Sequence, residues 1–199
     1  RACRAASARA VASPLDFATR MAAASRESSL GRRSSGVTFG GSITGSGKAL
    51  TIDTGTYASA TITLAAVGAS GTPIGALTLN NVGTTTLGGA IYAASLTTNA
   101  SGTTAINTTT ITTTNGQTYN DAVTLGATTT LTATSGDISF GSTLDGAYTL
   151  SSIASGATSF ADTIGSIPLA GLTITTTTLT AHAIVLASNG DISITNGGA

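Results

Sequence analysis

The stretch "TSGDISFGSTLDGAYTL", residues 134–150, holds two strand-length tiles of alternating side chains, each opened by a Gly-containing turn. Tiles of this kind constrain the chain more than any other feature. Candidate strands fall at Ala49–Ile52, Thr61–Ala65, Ala76–Leu79, Thr84–Leu87, Thr103–Ile106 and Ala122–Leu125. They continue at Thr129–Thr132, Asp137–Phe140, Tyr148–Ser151 and Leu172–Thr175. Gly, Asn, Asp and Ser separate them at intervals of roughly 7 to 14 residues, the spacing of a sandwich, a barrel or a solenoid. Thr is about a fifth of the chain. Its branched Cβ is stiff in a way that suits a pleated surface. An all-β chain is expected.

Internal repetition favours the solenoid, because stacked coils bury one another's apolar edges. "VTFGGSITGSGKALTI" at 37–52 aligns with "ISFGSTLDGAYTLSSI" at 138–153, and "PIGALTL" at 73–79 with "PLAGLTI" at 168–174. "TTTL" at 84–87 returns at 176–179, and "AIYAAS" at 90–95 returns as "AIVLAS" at 183–188. The alignment predicts a long repeat over 37–95 and 138–188, linked by 96–137. Leu125, Leu131, Ile138, Phe140, Leu150, Phe160 and Leu172 are the expected core.

Charge divides the chain. Residues 1–36 carry seven Arg against Asp16 and Glu27, whereas residues 37–199 carry Lys48 against six Asp. The basic, Ala- and Ser-rich segment 1–36 reads as a disordered or non-native extension, with a short helical pattern over Leu15, Ala18, Met21 and Ala22. No run of 18 apolar residues is present, so no membrane-spanning helix is expected. The single cysteine, Cys3, has no partner for an internal disulfide.

Motifs for chemistry are few. "GSITGSGKAL" departs from the phosphate-binding loop at Ser42, where a Gly is needed, and at Ala49, where a hydroxyl is needed. A strand-to-strand turn is expected there. His182 has no spacing partner that makes it a base or a metal ligand, so a surface or strand-edge position is expected. Asp53, Asp121, Asp137, Asp145, Asp162 and Asp191 all sit in turn contexts, where Asp bonds nearby backbone donors. Asn99 and Asn107 fit the N-glycosylation pattern and are candidate modification sites. No catalytic residue, metal ligand or cofactor is indicated.

"GDISFGSTLDGAYTLSS", "TTNGQTYNDAVTLGATTTLTATSGDI" and "ASLTTNASGTTAIN" resemble the repeat region of filamentous-haemagglutinin-like adhesins, bacterial exoproteins exported by two-partner secretion. The resemblance covers about residues 37–199. It implies a right-handed parallel β-helix that acts as stalk or spacer in a non-enzymatic, secreted or cell-surface protein. The implied partners are neighbouring repeats of a longer parent chain, host-cell or biofilm glycans or proteins, and an outer-membrane transporter during export. Nucleic acid is not an expected partner of the repeat region.

Two other function classes fit a solenoid. "TTTITTT" at 108–114 and "TITTTTLT" at 173–180 place Thr-x-Thr pairs on a sheet face, as a surface-binding or ice-binding array requires. Ser and Phe around 138–160 are expected to break that row. A polysaccharide-processing β-helix enzyme needs clustered carboxylates, for which Asp137 and Asp191 are the candidates. The body holds one Lys and no Arg to bind an acidic sugar.

Overall fold

The computed structural model describes residues 20–22 and 36–197. Among these residues there is no helix. The strands run β1 (Arg20–Ala22), β2 (Gly36–Phe39), β3 (Leu50–Asp53), β4 (Thr61–Leu64), β5 (Ile74–Asn80), β6 (Thr84–Leu87) and β7 (Ile91–Thr98). They continue as β8 (Thr103–Ile106), β9 (Thr110–Thr113), β10 (Gln117–Tyr119), β11 (Ala122–Leu125), β12 (Thr129–Ala133) and β13 (Ile138–Phe140). The last are β14 (Leu144–Asp145), β15 (Thr149–Ala154), β16 (Ala157–Phe160), β17 (Ile164–Thr176), β18 (Thr178–Thr180) and β19 (Ile184–Asn196).

These strands pair in parallel with their counterparts one coil away, forming a β-solenoid of about seven turns. Registered partners lie from 17 residues apart, where Leu169 lies beside Leu186, to 31, where Arg20 lies beside Thr51. Each coil visits three faces in turn. The first face stacks β2, β4, β6, β8, β11 and β14, then Ile164 and Ile184. The second stacks Ile43, Val67, the start of β7, β9, β12, β15 and the C-terminal parts of β17 and β19. The third stacks β3, the ends of β5 and β7, β10, β13, β16 and β18.

The alternation of each tile sorts side chains into wall and core. In β4 the order is exposed Thr61, buried Ile62, half-buried Thr63, buried Leu64, and β6 and β8 repeat it. Parallel registration then places like on like, so that Leu64, Leu87, Ile106 and Leu125 form one buried column. Burying each such side chain contributes about 1.5–3 kcal/mol. Tyr119, Phe140 and Phe160 form a second column, with ring centroids 5.0 Å apart and planes 12° and 7° from parallel. Several buried positions are polar, among them Thr85, Thr104, Thr113 and Gln117. Of the buried polar groups described, the Ser152 and Thr158 hydroxyls have no hydrogen-bond partner and are local weak points.

Two expectations change here. The 92–101-residue offset does not follow the coil. Val37, aligned with Ile138, lies in line with Ile62 on the first face, whereas Ile138 lies in line with Gln117 on the third. Likewise Leu77 is on the third face and its aligned partner Leu172 on the second. All three faces use the same in–out alternation between Gly- or Asn-rich corners, so a tile from one face resembles a tile from another. Residues 96–137, where three candidate strands were expected, supply β8 to β12 of the same stack.

The helical pattern near Met21 also gives way. Arg20–Ala22 is a strand, parallel to β3 with Arg20 beside Thr51 and Ala22 beside Asp53. A single helical turn is costly to nucleate, while the open edge of β3 offers ready backbone partners. Leu15, Ala18 and the rest of residues 1–19 and 23–35, Cys3 included, lie outside the described residues.

Candidate functional site

Parallel registration turns the exposed positions of each tile into columns of one chemistry. On the second face, Thr110, Thr130, Ser151, Thr173 and Ser193 align, as do Thr112, Thr132, Ile153, Thr175 and Thr195. Successive coils therefore present the pairs Thr110/Thr112, Thr130/Thr132, Ser151/Ile153, Thr173/Thr175 and Ser193/Thr195. The lattice spacing is about 4.8 Å between coils and about 6.7 Å along each strand. No member of either column is charged. Neither Phe140 nor Phe160 interrupts this row, since both point into the core; the interruption is Ile153, 39% exposed. The expected break by Phe is thus corrected, because the Phe tiles belong to a different face.

The third face adds an unbroken file of seven hydroxyls, Thr51, Thr78, Thr97, Thr118, Ser139, Ser159 and Thr180. The first face carries Thr61, Thr84 and Thr103. Neighbouring hydroxyls barely bond one another. Thr103 donates to Thr84 at 3.4 Å and Ser139 to Thr118 at 3.5 Å, both long for O–H···O.

Two of the Asp residues, Asp53 and Asp162, serve their own turns, whereas Asp137 and Asp145 accept from amides of the next coil. Asp53 accepts from the Gly55 amide (2.8 Å), Asp137 from Ala157 (2.7 Å), Asp145 from Ile167 (2.9 Å) and Asp162 from Thr163 (2.7 Å). Asp137 precedes β13 on the third face, and Asp191 begins the second-face part of β19, so the pair considered for sugar chemistry is not brought together. Among the described residues no three His, Cys, Asp or Glu side chains come together. Lys48 is exposed in a turn closed by its amide donating to the Gly45 carbonyl, with Gly47 at φ 68°. His182 is exposed between β18 and β19.

Asp121 is the residue that sequence reasoning misplaced. It reads as another turn Asp, yet it is 3% exposed, and its two oxygens accept hydrogen bonds from the Thr98 (2.7 Å) and Thr104 (2.8 Å) hydroxyls. The partners lie 23 and 17 residues away, so only coil registration reveals them. Burial pushes the Asp121 carboxyl above its usual range, partly offset by these hydroxyls. Burial, then the Asp121 charge, holds the Tyr119 hydroxyl far above the ordinary tyrosine value. That hydroxyl donates to Gln117 Oε1 (2.9 Å), and Gln117 Nε2 donates to the Thr132 carbonyl (3.0 Å).

A carboxyl whose folded pKa exceeds its unfolded value of about 3.9 favours the fold in its protonated state. Its contribution is therefore fullest in acid and falls as pH rises from about 4 through the raised folded value. Asp121→Asn, isosteric and neutral, should remove this slope and leave the variant more stable than the parent at pH 8. Urea unfolding of both proteins between pH 4 and pH 8 measures the difference. A gap that does not widen toward alkaline pH would contradict the assignment.

The two asparagines differ in setting. Asn99 is half-buried and its Oδ1 accepts the Asn81 amide (2.8 Å). Asn107 is exposed at the corner after β8, its side chain lying over Gly126 of the next coil. Asn107 is the more open acceptor.

No protein-family model, curated protein or solved structure matches this chain.

Proposed function

We propose that the chain is a non-enzymatic stalk segment of an exported bacterial adhesin, holding a binding region away from the cell surface. One observation carries this reading. Coils pair face by face with the coils before and after, so length grows with coil number while the cross-section stays constant. Seven coils span about 34 Å. The resemblance of residues 37–199 to filamentous-haemagglutinin-like repeats supplies the exported setting, with an outer-membrane transporter and surface glycans or proteins as partners. Antibodies to the chain should label unpermeabilised source cells, along fibres that stand away from the envelope. Labelling that requires permeabilisation would overturn the proposal.

A second reading is favoured by the registered hydroxyl pairs of the second face. An uncharged lattice of hydroxyls and methyl groups suits recognition of an ordered neutral surface, with ice as the sharpest case. Absence of thermal hysteresis and of any shaping of growing ice crystals would remove it. Nothing in the arrangement of Asp137 and Asp191 favours polysaccharide processing.

A further inference from the structure

We propose that the solenoid binds a single water molecule in its interior, between the Ser152 and Thr158 hydroxyls, where it joins the second face to the third.

The two hydroxyls belong to one coil. Ser152 points inward from β15 and Thr158 from β16, and both residues are 0% exposed. Neither hydroxyl has a partner within the chain. Leaving a buried hydroxyl unsatisfied costs more than an ordinary hydrogen bond returns, so two in one coil call for a shared ligand.

The nature of that ligand can be read two coils earlier. Ser152 stands in the column of Ile111 and Leu131, and Thr158 in the column of Gln117 and Ile138. In the earlier coil the Gln117 amide crosses from the third face to the second. Its Nε2 donates to the Ile111 carbonyl (3.3 Å) and to the Thr132 carbonyl (3.0 Å). Two coils on, register replaces Ile111 by Ser152, Thr132 by Thr175 and Gln117 by Thr158. Thr158 is too short to make the same crossing. A water at the height of the missing amide group has the Ser152 and Thr158 hydroxyls and the Ser152 and Thr175 carbonyls as its neighbours by register. A buried water is held by two to four such groups.

The packing provides room. The coils on either side fill these columns with Leu131 and Ile138 below, and with Ile174 and Leu179 above. Ser152 and Thr158 are both smaller than the side chains they lie between, and Ala154 is the next buried residue toward the corner. No member of either column is charged, so the site suits a neutral molecule that both donates and accepts. Water is the one small enough. The inference does not depend on export, adhesion or surface recognition.

Magnetic relaxation dispersion of water oxygen, measured on the full 199-residue chain, counts waters held for longer than the protein takes to tumble. The double variant Ser152→Ala/Thr158→Val should hold one such water fewer than the parent. Thr158→Val alone gives a second readout, because the sign of its effect depends on the water. If the water is bound, it loses a partner, and the unfolding equilibrium constant should rise about fivefold, the size of one hydrogen bond. If both hydroxyls are instead orphans in a dry core, a methyl group of the same shape relieves a penalty and the constant falls. In the parent itself, nuclear Overhauser spectra should show a cross-peak between water and the Thr158 methyl group. An unchanged water count, greater stability of Thr158→Val, or the absence of that cross-peak would each overturn the proposal.

Discussion

Phe140→Asp should unfold the middle of the solenoid. Phe140 is 1% exposed and lies between Tyr119 and Phe160, each 5.0 Å away centroid to centroid. Removing the ring alone, as in Phe140→Ala, should cost about 3–5 kcal/mol through lost transfer energy and a residual cavity. A carboxylate adds the larger burden. Among the buried residues there is no Lys or Arg to pair with it, and Asp121 already places one carboxyl in the interior. The total should exceed about 5 kcal/mol, comparable to the whole stability of many domains. Because coils couple mainly to nearest neighbours, disruption should centre on the coils carrying Tyr119, Phe140 and Phe160. Far-UV circular dichroism with limited proteolysis would read it, new cleavage sites clustering between about residues 117 and 160. A variant melting within a few degrees of the parent would refute the inward placement of this column.

Gly68→Ala should be nearly as damaging for a different reason. Gly68 has a φ of 68°, and a Cβ there would sit 2.0 Å from the Tyr92 carbonyl oxygen of the next coil. The Gly68 amide donates to the Ile43 carbonyl, and the Tyr92 amide donates to the Val67 carbonyl, so coils on both sides pin the site. A methyl group must push this ladder apart. Gly55 provides the control: its φ is 72°, but nothing lies within 4 Å of a Cβ built there. Gly55→Ala should cost only the left-handed strain of about 1 kcal/mol, and Gly68→Ala about 3 kcal/mol or more. Urea midpoints for the two variants give the comparison. Equal losses would mean that the close approach of coils at Gly68 is not structural.

Much of the local pattern was legible beforehand. Thr84–Leu87, Thr103–Ile106 and Ala122–Leu125 are strands with the boundaries expected from alternation between Gly and Asn turns. The expected core residues Leu125, Leu131, Ile138, Phe140, Leu150, Phe160 and Leu172 are all buried. Strands without contrast between the two sides were harder to see. β9 is Thr-Ile-Thr-Thr, in which Thr113 is buried and Thr112 half-buried, so residue type cannot report the face. β10 carries Gln117 inward, where its amide bonds carbonyls of neighbouring strands.

The sequence alone therefore determined that this is an all-β stack of short, turn-bounded strands, because the period of two and the Gly and Asn corners are local properties. Tertiary structure decided the coil length and hence which residues meet. A tile from any of the three faces presents the same alternation, so the long alignment joined Val37 to Ile138 although they occupy different faces. Only the parallel ladders, running 17 to 31 residues at a time, set the Thr pairs of the second face in rows and bring Thr98 and Thr104 onto Asp121. Those contacts lie across coils, where backbone hydrogen bonding and a shared core set the register and local side-chain preference carries no information about it.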